Sequence, residues 1–258
     1  MNKALAAAID AAKAAGAVMR KNLNAKKKTN EVTSHDIKLE LDVRCQKLIE
    51  KKLHAAFPKV ALLGEEGDAG DESAEYRWVV DPIDGTVNFA HGIPHASVSI
   101  ALQKRVVTRH TSHVTLLGVI YDPFQNELWT AIRGQAARLN GRVIRVSKSS
   151  RLKDCIASIG FAKNHSNLER ALPYFIWLAR RVMKLRMMGS AALALAYVAS
   201  GRLDIYIERG ISLWDVAAGG LILECAGGKF WSEAIPGRYK YRMIASNGLV
   251  HKKVPKPK

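Results

Sequence analysis

The sequence has no apolar run long enough for a membrane helix, which needs about 18 or more uninterrupted apolar residues. Its alanine-rich start carries Asp10, Lys13 and Arg20, and these charges argue against a signal peptide. Walker A, HExxH, GxSxG and clear GxGxxG patterns are missing as well. Their absence argues against nucleotide kinases, zinc proteases and serine hydrolases.

Cysteine is scarce in the chain. The three cysteines, Cys45, Cys155 and Cys225, stand singly in apolar surroundings, and no CxxC pair is present. Single cysteines in such surroundings are typical of buried, reduced thiols. We therefore predict a cytoplasmic protein without disulfides or membrane contacts.

Acidic residues are outnumbered by basic ones, 23 to 40, so the formal net charge is +17. Such a charge attracts phosphorylated substrates or polyanions such as RNA, but a surface with dispersed charges explains it equally well. A basic, elongated hairpin at residues 104–113 is a candidate polyanion contact. The tail, residues 252–258, contains two prolines that prevent a helix, and we predict that it is disordered.

The chain is long enough for one large domain, and 48% of its 258 residues are hydrophobic. A boundary at residues 147–153 divides it into a first half, residues 1–150, and a second α/β half, residues 151–258. Asn140-Gly141 predicts a tight hairpin that pairs residues 136–139 with 143–146.

The most informative stretch is DPIDGT at residues 81–86. Residues 76–80 predict a buried strand, so Asp81 lies at a strand end, and a bend directs Asp84 toward the same cavity. Paired carboxylates repel each other unless a cation lies between them, and Mg²⁺ prefers such oxygen ligands. Gly85-Thr86 then opens a helical turn suited to a phosphate group. The alternative is an Asp-Pro turn followed by an Asp-Gly turn.

Two further acidic stretches favour the metal site over the two ordinary turns. GEE at residues 64–66 ends an apolar run, and WDVAAG at residues 214–219 begins an apolar helix. Taken alone, the first is typical of a solvated loop and the second of a helix N-cap. Together, GEE, DPIDGTVNF at residues 81–89 and WDVAAG resemble the inositol monophosphatase family. The similarity extends from the first helix to about Asn247, within the wider group of Mg²⁺-dependent, lithium-sensitive phosphatases.

The resemblance implies an α/β fold built from α+β layers. The layers would alternate as an α-β-α-β-α sandwich of the sugar-phosphatase type. It also implies a homodimer, inhibition by Li⁺, and two or three Mg²⁺ ions per active site, for which Mn²⁺ can substitute. The implied substrate is inositol 1-phosphate or another small phosphorylated polyol or sugar. Fructose 1,6-bisphosphate, histidinol phosphate and nucleotide 3′-phosphates remain alternatives, as does a role in binding RNA or the transcription machinery.

The resemblance assigns roles to individual residues. Glu65, Asp81 and Thr86 are the implied catalytic residues, with Glu65 and Thr86 orienting the attacking water. The implied metal ligands are Glu65, Asp81, the Ile83 carbonyl, Asp84 and Asp215. The implied phosphate and substrate contacts are Asp84, Gly85, Thr86, Gly189, Ser190, Ala191 and Glu208.

Two further positions follow from the same resemblance. Asp42 aligns with an aspartate at the edge of the family's metal site, although Leu39-Glu40-Leu41 replaces the small hydroxyl residues that usually precede it. The lysines at residues 26–28 lie in a loop that approaches the metal site in the family. One of them is a candidate for holding a water there, and a solvated loop is the alternative.

Overall fold

The computed structural model describes residues 1–25, 29–32, 37–71, 73–107, 111–161 and 165–257. The predicted lysine loop at residues 26–28 lies outside the described residues. The α-helices are α1 (Asn2–Asn22), α2 (Glu40–Ala56), α3 (Thr86–Ala90), α4 (His165–Ala179), α5 (Ala191–Ala199) and α6 (Leu213–Cys225). Short 3-10 turns occupy Leu152–Asp154 and His251–Lys253. None of the helices in the described residues is both long and apolar enough to cross a membrane.

The strands form two large sheets and one small ribbon. The ribbon pairs β1 (Thr29–Val32) with β2 (Ile37–Leu39). The strands of the first large sheet are β3 (Ala61–Gly64), β4 (Gly67–Ala69), β5 (Tyr76–Asp84), β6 (Ser97–Val107), β7 (Thr111–Asp122), β8 (Glu127–Ile132), β9 (Arg138–Leu139) and β10 (Arg142–Val143). The strands of the second large sheet are β11 (Ile156–Phe161), β12 (Lys184–Arg186), β13 (Ile205–Ser212), β14 (Lys229–Ala234) and β15 (Lys240–Ser246). Their orders are β10-β9-β8-β7-β6-β5-β3-β4 and β12-β11-β13-β15-β14.

The layers alternate as α-β-α-β-α, as the resemblance implied. Helices α1 and α2 cover the outer face of the first sheet, α5 and α6 fill the space between the sheets, and α4 covers the far face of the second. The centre of strand β5 is apolar at every position because both of its faces are buried. The side chains of Trp78 and Val80 pack toward α1 and α2, whereas Val79 packs toward α5 and α6. A strand buried on both faces loses the usual alternation of apolar and polar residues.

Several local predictions are confirmed with changed bounds. The Asn140-Gly141 turn joins β9 and β10 with positive φ at both residues, as a tight hairpin requires, but the ladder has only two residue pairs. The basic hairpin also forms, with paired positions from Lys104–Val114 to Val107–Thr111. The cysteines are free, and Cys225 is half-buried rather than buried.

The prediction of a disordered tail is wrong for its described part. Val254 and Pro257 are buried, and the Tyr174 hydroxyl donates to the Pro255 carbonyl at 2.6 Å. The Lys256 ammonium lies 4.4 Å from the centre of the Trp231 ring. The prolines exclude a helix, but an extended chain can still pack against a sheet through its side chains.

Candidate metal and phosphate site

The first sheet brings Glu65 beside Asp81 because β3 and β5 are parallel. Gly64 pairs with Val80 in this ladder, so the next residue of each strand emerges at the same edge. The Glu65 N–H donates to the Val80 carbonyl at 3.2 Å, which continues the pairing past the strand end. Carboxyl ends of parallel strands are where α/β sheets gather ligands.

Gln46 fixes the turn that follows Glu65. Its side-chain amide donates to the Gly67 carbonyl at 2.8 Å, and its Oε1 accepts from the Glu66 N–H at 2.9 Å. The sequence reasoning missed Gln46. The sequence signal for Gln46 was its position four residues after Asp42, a spacing that puts two residues on the same face of a helix. Both residues lie on the buried face of α2.

The turn after Asp81 is held by its own side chains. The Ile83 N–H donates to Asp81 Oδ1 at 3.0 Å, and the Thr86 hydroxyl donates to the Ile83 carbonyl at 2.9 Å. A carbonyl oxygen has two lone pairs, so this bond leaves the Ile83 oxygen one site for another partner. Thr86 begins α3, as the sequence predicted.

Gly85 permits a close approach of backbone segments. Its φ is +93°, and a Cβ there would lie 3.0 Å from the His95 carbonyl oxygen and 3.1 Å from that of Gly189. Asn88 joins the same segments by donating to the carbonyls of His95 and Met188, both at 2.9 Å. The DPIDGTVNF stretch is thereby fastened to the chain just before α5.

Asp84 lies at the N-terminus of α5. Its carboxylate accepts from the backbone N–H groups of Ala191 and Ala192, each at 3.0 Å, and from the Ser190 hydroxyl. These contacts match the preference of helix N-termini for negative charge. The backbone at Ala191 was expected to face the substrate, but its N–H donates to Asp84 instead.

Asp215 is the third residue of α6, not its N-cap. Ser212 is the N-cap, and its backbone N–H donates to Asp215 Oδ2 at 2.8 Å in a capping box. The Ser99 hydroxyl donates to the Trp214 carbonyl at 3.1 Å, which fastens the start of α6 to β6. Since Ser99 pairs with Asp81 in the β5–β6 ladder, Asp215 lies across from Asp81.

Asp81, Asp84 and Asp215 each present a carboxylate oxygen within 4.8 Å of the other two. Glu65 lies next to Asp81 through the β3–β5 pairing. Glu208 completes what we call the acidic cluster, defined as Glu65, Asp81, Asp84, Glu208 and Asp215. Its carboxylate accepts from the Tyr206 hydroxyl and lies near Asp84 and Asp215.

Burial and mutual repulsion dominate the electrostatics of this cluster. Burial, followed by the charges of its neighbours, raises the pKa of Glu65 and Asp81 well above their ordinary values. Burial raises the pKa of Asp215 to about 7 and that of Glu208 to about 8. Burial also raises the pKa of Asp84, although hydrogen bonds from Ser190 and nearby N–H groups oppose the shift.

Such a group of carboxylates fits divalent cations with a preference for oxygen. A cation between the carboxylates offsets both the repulsion and the cost of burying charge. Asp42 lies at the edge of the cluster, where its charge contributes to the raised pKa of Glu65. Its own Oδ2 accepts from the Leu39 N–H at 2.9 Å, which anchors the start of α2.

Comparison with known proteins identifies the family of the chain. The model of the inositol monophosphatase family matches residues 1–250. The chain belongs to the inositol monophosphatase family. It is a phosphatase, and its layered fold is that of solved family structures.

Three similar proteins show the range of the family. The Nus factor SuhB of Pseudomonas aeruginosa is 40% identical over 205 residues, 77% of this chain and 73% of that protein. The fructose-1,6-bisphosphatase/inositol-1-monophosphatase of Thermotoga maritima is 35% identical over 235 residues, with coverage of 90% and 85%. The crystal structure of the extragenic suppressor protein suhB from Bartonella henselae has a TM-score of 0.88 at 34% identity, covering 96% of this chain and 95% of that one.

Proposed function

We propose that this phosphatase is a Mg²⁺-dependent hydrolase of small polyol or sugar monophosphates, with inositol 1-phosphate as its first candidate substrate. The observation that supports this most directly is the approach of Asp81, Asp84 and Asp215 within 4.8 Å. Two or three Mg²⁺ ions, or Mn²⁺ in their place, would neutralise the phosphate and lower the pKa of water. Glu65, Asp81, Asp84, Asp215 and the Ile83 carbonyl would hold them.

Protein residues would orient the attacking water and bind the phosphate oxygens. Glu65 is half-buried at the edge of the cluster, and its carboxylate would accept a proton from the attacking water there. Thr86, whose hydroxyl contacts the Ile83 carbonyl, would orient that water with Glu65. The N–H groups of Gly85 and Thr86 would hold phosphate oxygens.

The alcohol part of the substrate would bind on the side of the second sheet. Asp84 and Glu208 would accept hydrogen bonds from its hydroxyl groups, beside the backbone of residues 189–191. The metal site would then come mainly from residues 1–150 and the alcohol site mainly from residues 151–258, in a single domain of two halves. Asp215 in the metal site and Asp84 in the alcohol site would be the exceptions.

The test is phosphate release from a substrate panel with Mg²⁺ and without it. The panel contains inositol 1-phosphate, fructose 1,6-bisphosphate, histidinol phosphate and a nucleotide 3′-phosphate. Asp81→Asn and Asp215→Asn should each lower kcat at least about a thousandfold while the far-UV spectrum stays native. An active Asp81→Asn enzyme would refute the assignment. LiCl should inhibit, and sedimentation should show a homodimer.

A second role outside hydrolysis is favoured by two observations. The net charge is +17, and one similar protein is named a Nus factor. The basic hairpin, residues 104–113, would provide the contact with RNA. RNA retained at physiological salt by Asp81→Asn would support this role, because nonspecific phosphate contacts weaken steeply with salt.

A further inference from the structure

A second cavity lies on the outer face of the first sheet, beneath the C-terminal half of α2. Its volume is about 630 Å³, which is in the range of small-molecule binding sites, and none of the acidic-cluster residues lines it. One row of paired residues forms its floor, because Leu62 of β3 pairs with both Ala69 of β4 and Trp78 of β5. Leu62 and Trp78 are buried and Ala69 is half-buried, so this floor is apolar.

Trp78 brings one unpaired polar atom to this apolar floor. The residue lines the cavity and is only 1% exposed, yet its Nε1 has no hydrogen-bond acceptor among the described residues. Phe57 packs edge-on against the indole ring, with the ring centres 6.0 Å apart. The indole N–H can only donate, and a buried donor without an acceptor is destabilising. An acceptor carried by a molecule in the cavity would satisfy it.

The rim of the cavity is cationic. Lys47 and Lys51 lie one turn apart on the same face of α2, and Lys59 lies in the loop that leads to β3. All three side chains are exposed. None of the ion pairs formed within the described part of the chain includes them. Their ammonium groups are therefore available to an anion that enters the cavity.

Two carboxylates also line the cavity, those of Glu50 and Asp71. The Asp71 carboxylate accepts hydrogen bonds from the Ser73 N–H at 2.7 Å and from the Ser73 hydroxyl at 2.8 Å, within its own turn. Three lysines thus stand against two carboxylates, one of which is already engaged. The rim favours a negatively charged ligand.

Floor and rim together define the ligand. An inorganic anion would not use the apolar floor, and an aliphatic acid would leave the indole N–H against hydrocarbon. We propose that this cavity binds a small aromatic anion whose ring carries a hydrogen-bond acceptor at the end opposite the anionic group. The ring would lie on Leu62 and Ala69, and the acceptor would pair with the Trp78 N–H. The anionic group would meet Lys47 and Lys51 at the rim.

A matched pair of probes tests this site, and the test does not depend on the proposed phosphatase substrate. 6-Acetyl-2-naphthoate carries a ketone opposite its carboxylate, whereas 6-isopropyl-2-naphthoate has a similar shape without an acceptor. Calorimetric titration of the wild-type protein should give a Kd about tenfold lower for the acetyl compound, as pairing of a buried donor predicts. Equal affinities would mean that the indole N–H pairs with water instead, and absence of binding by both compounds would also overturn the proposal.

Variants of the floor and the rim locate the bound probe. Trp78→Phe keeps an aromatic ring but removes the N–H, so the two compounds should bind it equally. The double variant Lys47→Gln/Lys51→Gln should raise both Kd values about threefold. Lys52→Gln is the matched control on the same helix, since Lys52 pairs with Asp10 at 2.7 Å outside the cavity, and it should change neither Kd. Equal effects of the rim and control variants would place the probes elsewhere and refute the site.

The wild-type protein also supplies a readout that does not require Trp78→Phe to fold. Its five tryptophans each give an indole N–H signal in a proton–nitrogen NMR spectrum. One of these signals should move downfield with 6-acetyl-2-naphthoate and stay in place with 6-isopropyl-2-naphthoate. If the acetyl compound binds and no indole signal responds, the proposed hydrogen bond does not form and the inference fails.

Discussion

The carboxylate of Asp84 accepts a hydrogen bond from the N–H of Ala191, 107 positions later in the chain, at 3.0 Å. A residue at the end of β5 thereby occupies the N-terminus of α5, which belongs to the layer between the two sheets. The orientation of a proposed metal ligand consequently depends on the packing between the two halves. Substitutions near Ser190 should affect metal binding although they lie far from DPIDGT in the sequence.

Ser190 and Ser97 allow a controlled test of this dependence. Both hydroxyls donate to Asp84, but the Ser97 bond is 3.5 Å long, at the limit for a hydrogen bond. Ser190→Ala should raise the Mg²⁺ concentration for half-maximal activity about tenfold, as loss of a hydrogen bond to a charged group predicts. Ser97→Ala should change it less than about twofold. Equal effects of the two substitutions would show that the Ser190 hydroxyl does not orient Asp84.

Alanine substitutions at Gly85 and Gly134 distinguish the free-energy cost of close packing from that of backbone strain. Both have positive φ, +93° and +84°, but a Cβ at Gly134 would meet no atom within 4 Å. Gly134→Ala should therefore cost only about 1 kcal/mol of unfolding free energy for its left-handed conformation. Gly85→Ala should cost about 2 kcal/mol more, since its Cβ would press on two carbonyl oxygens.

Denaturant unfolding of the two glycine variants measures this difference, and phosphate release measures its effect on the site. We expect Gly85→Ala to lose most activity and Gly134→Ala to keep it. Equal unfolding free energies would mean that the segments around His95 and Gly189 move apart without cost.

The raised pKa values of Asp215 and Glu208, about 7 and 8, predict how stability depends on pH. A carboxyl group with a raised pKa in the folded state binds its proton more tightly there than in the unfolded chain. Its contribution is complete below pH 4 and is lost as the pH rises through 7 and 8. The Tm of metal-free protein should therefore fall by at least about 5 °C between pH 5 and pH 8.

Mg²⁺ and Asp215→Asn are the controls for this pH effect. Mg²⁺ should raise the Tm more at pH 8 than at pH 5, because ionised carboxylates bind it and protonated ones do not. Asp215→Asn removes one titrating group, so its metal-free Tm should vary less with pH. A metal-free Tm that rises toward pH 8 would contradict the predicted direction of these pKa shifts.

The acidic residues of the site could be recognised from the sequence because strand ends and tight turns are local features. Asp81 follows an apolar run, and Glu65 follows another, so both were expected at strand termini. Glu65 does follow the last residue of β3, but the prediction is wrong for Asp81, because β5 continues through an irregular pairing to Asp84. Their proximity depends on the parallel pairing of β3 and β5, which the two runs alone do not specify. The family resemblance supplied that information.

The partners of these residues could not be predicted, because they depend on long-range register and helix placement. Ser190 was expected to contact substrate, yet its hydroxyl donates to Asp84. Lys240 is an ordinary lysine in the sequence, and only the β13–β15 register brings it beside Ser212. The strand β12, Lys184–Arg186, was also missed, since three residues carry too little periodicity to identify.

Tyr206 supports Glu208 and gives a test of the proposed alcohol site. Its hydroxyl is buried and donates to the Glu208 carboxylate, two positions away on the same face of β13. Tyr206→Phe should raise KM for a polyol phosphate about fivefold to tenfold, because Glu208 loses the donor that orients it, while kcat stays within about twofold. Tyr174→Phe is the matched control, since that hydroxyl donates to the Pro255 carbonyl in the tail. It should lower the Tm by a similar amount and leave KM unchanged. A KM that is the same in both variants would remove Glu208 from the alcohol site and leave the metal ligands unaffected.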